Sequence, residues 1–501
     1  MMKLKRLLSE IPVERIEGPV EVDIRGITYS SAEVKPGYLF AAMSGVKTDG
    51  HLFIGEALKN GATAVLCEEW NSSNGELKDR STRIQVEDSR KSFAQIASQF
   101  YHHPSKQLGI VGVTGTNGKT TTSFLIRSLM EYLGPTGLIG TVGNWIGKEK
   151  QKSSHTTPES SDLQFLLHQM KSRGIKNVVM EVSSHALAQE RIWGTFFDTA
   201  VFTNLTQDHL EYHHTMESYF QAKSRLFRDL RYSVFQNKKP LGLVNIDDPW
   251  GKQLITLTSA EIWTYGFGEG ADLQAVNIQR TSSGTSFLVK TPAGELHIHT
   301  SMLGTYNVYN LLAAVGVGIR HSIPLNIIET TLGKTIAVPG RLEKVSGDYP
   351  ITVLVDYAHT EDALLKVLTT LQEIKTGRMI LVFGCGGDRD KGKRPKMGRV
   401  AGQWADSIFL TSDNPRGEDP MQILREIEAG LLSLKGEKRG EYRIMVNRKE
   451  AIQAAITGAK PGDSILIAGK GHEDYQWVGK VKFEFDDRLV ARDALQHRFG
   501  C

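Results

Sequence analysis

Cysteine is scarce in this chain of 501 residues: Cys67, Cys385 and Cys501 are odd in number, widely spaced and without metal-ligand spacing. That excludes a disulfide framework and suits a reducing compartment. An excess of one charge is also missing. Sixty Lys and Arg face 56 Asp and Glu, a net charge of +4 that gives no field for bulk nucleic-acid or membrane-surface binding. No run of roughly 18 apolar residues occurs that could span a bilayer. Met1 to Gly18 has basic residues but no apolar core, so it does not read as a signal peptide. Low-complexity tracts, heptads and short-period repeats are absent as well. These absences predict a cytoplasmic protein of closely packed domains, with any basic site local.

The composition is that of an ordinary globular protein, with 40% hydrophobic, 8% aromatic and 23% charged residues. The length suits about three domains of ~150 residues. From about residue 107 onward one arrangement recurs: a short β-branched apolar run, a polar or glycine-rich turn, then a helical period. Strands are predicted to end just before Thr114, Glu181, Asn204, Asp356, Gly384, Ser412 and Gly469. In open parallel sheets ligands bind beyond the carboxyl ends of strands. The sequences there are TGTNGKTT, EVSSH, NLTQDH, DYAHT, GCGGDRD, SDNPR and GKGHE, far richer in Gly, Asp, Asn and His than plain connections require. Breaks fall near His102 to Ser105 and near Val338 to Arg341. The expectation is an α/β chain in three domains: a smaller N-terminal α/β unit (1–105), a central P-loop ATPase-like unit on a parallel sheet (106–337) and a C-terminal Rossmann-like unit (338–501). In the first unit, EVDIRGITY and GATAVLCE read as strands and PGYLFAAM as a hairpin signal.

Gly112 to Thr120 (GVTGTNGKT) follows a strand and opens a helix in which Phe124, Leu125, Leu129 and Leu133 are expected to share a buried stripe. Glycines let backbone N–H groups approach phosphate oxygens, and the helix terminus adds positive potential. Lys119 can reach the outer phosphates and Thr120 can ligate Mg²⁺. A strict Walker A loop has glycine where this chain has Val113, with Gly112 and Gly115 on either side. Strand and helix context nevertheless point to a nucleoside triphosphate site. Glu181 ends the next apolar strand, where a carboxylate could complete a magnesium shell. His209 ends another strand loop and is a second candidate ligand.

Together, TGTNGKTT, EVSSH, NLTQDHLEYH, QAKSRLF, LGTYNVYNLLAA, PGRLE and DYAHT, in this order across nearly the whole chain, resemble the Mur ligases, which add amino acids to the peptidoglycan precursor. Within that family, GCGGDRDKGKRP, DNPR and GKGHEDYQ resemble the members that add the third residue to UDP-N-acetylmuramoyl-L-alanyl-D-glutamate. The resemblance implies ATP and Mg²⁺ as cofactors. Gly115, Thr116, Asn117, Gly118, Lys119, Thr120, Thr121, Asn307, Asn310, Arg341, Asp356 and His359 would surround ATP. Thr120 and Glu181 would hold one Mg²⁺, with His209 and Lys223 serving a second. Lys223 would act as an N-carboxylated lysine, since a carbamate supplies an oxygen ligand where an ammonium would repel the metal. Lys119, Glu181, His209 and Lys223 are thus the implied catalytic set. Ser31, Val46, Lys47 and Thr48 fall where the family grips UDP, and Thr156, Thr157, Ser183, Gln189 and Arg191 where it holds the MurNAc-dipeptide. The chain departs from many relatives at Ser30-Ser31-Ala32, where they have Asp-Ser-Arg, and at His155, where they have Asn.

For the third amino acid the resemblance implies meso-diaminopimelate, contacted by Arg389, Asp413, Asn414, Pro415, Arg416, Gly469 and Glu473. A guanidinium at Arg416 can pair with the second carboxylate of diaminopimelate, a group that lysine lacks. The expected chemistry is ATP-driven amide formation through an acyl phosphate, by a monomer whose partners are the small-molecule substrates UDP-MurNAc-L-Ala-D-Glu and meso-diaminopimelate, with no nucleic acid and no membrane span. Another ligase of the superfamily, such as folylpolyglutamate synthetase or MurF, is disfavoured by DNPR together with GKGHEDYQ. A P-loop motor would turn over ATP without any carboxylate and amine pair.

Overall fold

Strands buried on both faces need helices on both sides, and this chain builds its larger sheets that way. The computed structural model describes every residue except 46–47, 71–80, 154, 233–238, 282–283, 335–337, 435–438 and 501. Its central sheet has 11 strands. Gly109–Thr114 lies between Asn177–Glu181 and Thr199–Phe202, parallel to both. The chain therefore reverses direction of travel around the strand that feeds the phosphate loop, which opens a crevice at its carboxyl end. Side-chain alternation along this strand feeds two cores. Val111 and Val113 pack with Leu125, Leu129 and Leu311, while Ile110 packs with Met180, Phe202 and Phe227 on the other face.

A second sheet of six strands orders Glu343–Lys344, Thr352–Asp356, Ser464–Ala468, Met379–Phe383, Ser407–Leu410 and Glu441–Ile444. All pairs in it are parallel except the first. A third sheet of five strands belongs to the first hundred residues. All seven predicted strands of the two larger sheets are present at the expected places. Among the described residues no helix is long and apolar enough to cross a membrane.

The structure corrects three local expectations. Tyr38–Ala41 pairs parallel to Gly26–Thr28 and to Ala64–Cys67, so PGYLFAAM forms no hairpin. EVDIRGITY is split into Asp23–Ile24, which pairs with Met2–Lys3, and Gly26–Thr28, because the two segments join different sheets. Leu133 is 37% exposed, and Ile126 and Met130 bury the helix face instead, since the helix ends at Met130.

Beneath the C-terminal sheet, Arg448 and Asp487 form a fully buried ion pair with two 2.7 Å bonds. Arg448 also donates to the Ala468 carbonyl at 2.9 Å, at the strand end that leads into GKGHE. Removing one partner of such a pair leaves an uncompensated buried charge. Asp487→Asn is expected to cost about 3–5 kcal/mol, measured by chemical denaturation of the C-terminal unit. The double replacement R448M/D487L should recover much of that loss, and a near-neutral single variant would contradict the account.

Candidate active site

The phosphate loop is shaped by close approach. Gly115 has φ +145°, and a Cβ there would stand 1.9 Å from Thr203 Oγ1; Gly118, at φ +86°, would place one 2.5 Å from Asn310 Oδ1. Only glycine fits either position. Lys119 donates to the Gly115 and Thr116 carbonyls, both at 2.9 Å. Lys223, 1% exposed, donates to the same Gly115 carbonyl at 2.8 Å. Burial, together with the neighbouring Lys119 charge, pushes the Lys223 ammonium well below its usual range. Burial likewise lowers Lys119, against the pull of Glu181 and Asp208.

Glu181, 1% exposed, sits beside the loop. Its carboxylate accepts from Thr120 Oγ1, the Thr141 N–H and Thr141 Oγ1, each at 3.0 Å. These donors are neutral, so the buried carboxylate fits a cation shared with Thr120. Arg341, from the C-terminal unit, donates to Thr120 Oγ1 at 3.0 Å, and its guanidinium lies 4.5 Å from the Tyr357 ring centroid. Asn117 reaches across to Asp362 at 2.8 Å. The cleft has a volume of about 550 Å³ and is lined by the loop, Glu181, Asp208, His209, Asn307, Asn310, Arg341, Asp356 and His359. Thr116 through Thr121 all line it, whereas Gly115 and Lys223 lie behind the loop. Asn310 donates to Asn307 at 2.9 Å, and Asp356 accepts the Leu342 and Ala358 N–H groups at 2.7 Å, so these side chains shape the cavity wall.

His209 is partly exposed and holds φ +55°, bracketed by Asp208 at 3.4 Å and Glu211 at 3.6 Å. It meets Lys223 through Tyr219: the His209 ring centroid is 6.2 Å from that of Tyr219, and the Lys223 Nζ is 4.6 Å from it. Among the described residues no cluster of three His, Cys, Asp or Glu side chains stands ready to hold a metal.

The loops expected to hold the dipeptide are connected to this centre. Thr156 Oγ1 is 3.0 Å from Thr141 Oγ1. Thr157 is fully buried, donating to the Glu181 carbonyl at 2.8 Å and accepting from the Ser183 N–H at 3.0 Å. Ser183 caps the next helix by accepting from Ala186 N–H. Arg191 donates to Gln189 at 2.7 Å and pairs with Glu159 at 2.9 Å. Farther out, Ser31 donates to Glu56 at 2.7 Å and Thr48 is exposed. Val46 and Lys47 lie outside the described residues. Arg90 donates to the Ser44 carbonyl at 3.0 Å and approaches Glu159 at 3.8 Å, linking the first unit to the dipeptide loops.

A second group of charges lies beyond Tyr357. Lys470, fully buried, donates to Glu473 at 2.9 Å and Asn414 at 3.1 Å, and Asn414 donates to Glu473 at 2.8 Å. Gly469, at φ +112°, passes so close to Asp413 that a Cβ would meet Oδ2 at 2.6 Å. Pro415 packs against Gly387, whose added Cβ would lie 1.8 Å from the Pro415 carbonyl oxygen. Arg416 holds φ +50°, donates to the Gly387 carbonyl at 2.7 Å and is lowered by burial and by Arg389 nearby. Negative groups thus face positive ones across this subsite.

Three family descriptions match in chain order: "Mur ligase family, catalytic domain" over 23–101, "Mur ligase middle domain" over 113–318 and "Mur ligase, glutamate ligase domain" over 340–471. A relative from Geobacter metallireducens is 43% identical over 97% of both chains. The chain is a Mur ligase. That relative and one from Listeria innocua, 43% identical over the full length of both chains, are named UDP-N-acetylmuramoyl-L-alanyl-D-glutamate–2,6-diaminopimelate ligase. A solved structure with the same name superposes over 100% of both chains with a TM-score of 0.68 at 33% identity. A MurF structure from Thermotoga maritima in complex with ADP shares the fold, with a TM-score of 0.60 at 20% identity and 95% and 97% coverage.

In this Mur ligase the loops singled out in the sequence converge as two adjoining subsites, but the sequence reading passed over several residues. Asp208 stands next to His209 in NLTQDH. Burial alone would raise its carboxyl, yet His209, His359, Lys393 and Lys119 around it hold it at about 2. Thr141, Tyr357, Lys470 and the buried Arg394, which grips Glu418 at 2.9 Å and Glu426 at 2.8 Å, were also missed. Apart from Thr141, each neighbours a quoted motif or lies within one. Their roles depend on partners distant in sequence.

Burial pushes His185, His213 and His359 down to about 4 and His472 to about 3. These rings are neutral when folded, while the unfolded chain takes up protons below ~6.5. Folding stability is therefore full above pH 6.5 and is lost as pH falls toward 4. Melting temperatures measured from pH 8 to 4 should show this decline, and His359→Gln should flatten part of it. An unchanged slope in that variant would remove His359 from the explanation.

Proposed function

We propose that this Mur ligase joins meso-diaminopimelate to the D-Glu carboxyl of UDP-MurNAc-L-Ala-D-Glu, driven by ATP. The full-length relatives carry that name, and the family is ATP-dependent. The observation that supports the amine is the charge layout around residues 413–416. Asp413 suits an ammonium, Glu473 being already paired with Lys470, and Arg389 with Arg416 suits the carboxylate that diaminopimelate has and lysine lacks. We assign residues 1–105 to uridine nucleotide binding, 106–337 to ATP and 338–501 to the amino acid. The protein acts as a cytoplasmic monomer in this reading.

Thr120 and Glu181 would hold Mg²⁺, and a carbamate on Lys223 with His209 would hold a second; these ions neutralise phosphate charge when bound. The depressed Lys223 amine is the form able to take up carbon dioxide. The D-Glu carboxylate attacks the γ-phosphorus as the bond from that phosphorus to the β–γ bridging oxygen breaks and ADP leaves, and Lys119 and Arg341 offset charge on the transferred phosphoryl group. The neutral amine then attacks the acyl phosphate carbonyl carbon, the acyl C–O bond breaks as phosphate leaves, and the nitrogen passes its extra proton to the departing phosphate as the amide forms. Contacts across the cleft, Asn117 to Asp362 and Arg341 to Thr120, keep water from that intermediate.

Phosphate release with ATP, Mg²⁺ and UDP-MurNAc-L-Ala-D-Glu should occur with meso-diaminopimelate and only weakly with L-lysine, giving a tripeptide by mass. Turnover with lysine alone would keep the ligase and sink the charge argument. Turnover without either amine would indicate a plain ATPase. Lys223→Ala should abolish activity while leaving the melting profile intact, and near-normal turnover would remove the carbamate.

A further inference from the structure

Arg416 is held by a short hairpin, Tyr475–Val478 with Val481–Glu484. The Arg416 N–H donates to the Trp477 carbonyl at 3.0 Å, and the Gly479 N–H donates to the Arg416 carbonyl at 2.7 Å. These bonds clasp a residue in left-handed backbone, a conformation that an arginine does not adopt without such support. The Trp477 N–H in turn donates to Asn414 Oδ1 at 2.9 Å, and Gln476 donates to the Asp413 carbonyl at 2.8 Å. The hairpin therefore sets the shape of the whole DNPR loop.

Its indole contributes more than shape. The Arg416 guanidinium carbon lies 5.4 Å from the Trp477 ring centroid. Arg416 Nε and Trp477 Nε1 are both buried, and neither donates to any protein group among the described residues. Buried donors are nearly always paired, so unpaired N–H groups on two side chains that touch leave both open to an acceptor from outside the protein. Arg389 lies near enough to lower Arg416, and Lys482 stands 4.9 Å from the indole centroid. The acceptor suited to two N–H donors in a cationic setting is an anion, and a carboxylate offers two oxygens to them.

We infer that Trp477 is a specificity-determining residue: its Nε1–H, together with the Arg416 guanidinium, receives the carboxylate at the non-reacting end of diaminopimelate. The inference rests on the proposed diaminopimelate reaction. Lysine has only an ammonium at that end and would leave both donors unpaired, which disfavours it further.

Trp477→Phe removes the N–H and keeps the ring. In the full chain, the KM for meso-diaminopimelate should rise at least about tenfold, the lower range for a hydrogen bond to a charged group. The KM values for ATP and the UDP-dipeptide should stay put. The preference in kcat/KM for diaminopimelate over L-lysine should fall by about the same factor. An unchanged KM for diaminopimelate, or equal weakening of both amines, would overturn the inference and leave the hairpin as a prop. A second readout uses the unaltered protein labelled with ¹⁵N-tryptophan. Diaminopimelate should move the Trp477 indole N–H resonance downfield and L-lysine should not, with the resonance assigned by W477F or, if that chain does not fold, by W477Y. A resonance indifferent to diaminopimelate counts against the inference. If the wild-type protein releases no phosphate with diaminopimelate, the reaction itself is wrong; if it does and W477F behaves as wild type, only the role of Trp477 is.

Discussion

The buried carboxylate of Glu181 is the joint on which the site depends. Its side chain takes Thr120 from the phosphate loop and Thr141 from the next strand loop, while its carbonyl takes Thr157 from the dipeptide loop. Thr120 in turn receives Arg341 from the C-terminal unit. A carboxyl group with so little water around it must be satisfied from every side, so each donor is held to one place. One carboxylate thereby fixes the relation of the phosphate loop, the Thr141 and Thr157 loops and Arg341.

The C-terminal unit uses the same device at greater depth. Arg448 with Asp487 and Arg394 with Glu418 and Glu426 brace the loops that carry DNPR, GCGGDRD and GKGHE, and Lys470 with Glu473 and Asn414 ties two of those loops together. Replacing such pairs by apolar groups often costs little stability. Their value here is directional: Arg448 holds the Ala468 carbonyl and Arg394 the Gly386 carbonyl at 3.2 Å, one at the entrance of each of two neighbouring loops. Backbone in left-handed conformation at Asp388 and Arg416 is tolerated at the same loops because these contacts over-determine it.

Much of the fold was legible because parallel strands advertise themselves. A fully buried strand such as Met379–Phe383 must be apolar at every position, and its loop must carry the polar groups that the strand cannot. The first hundred residues were harder to read. Their short strands divide between two sheets, and no local pattern distinguishes a parallel neighbour from a hairpin partner. In the site, Lys119, Glu181 and Arg416 were visible as motif residues, whereas Asp208, Lys470 and Trp477 gained meaning only from what surrounds them.

The sequence by itself determined the order of strands and loops, the glycines of the phosphate loop and the residue types available to each subsite, since period, turn chemistry and charge are local properties. Only the tertiary structure decided that Lys119 and Lys223 share one carbonyl, that Arg341 reaches Thr120, and that the Trp477 indole lies against Arg416. Those contacts join positions from tens to hundreds of residues apart, and their chemistry comes from burial, which no single position in a chain can specify alone.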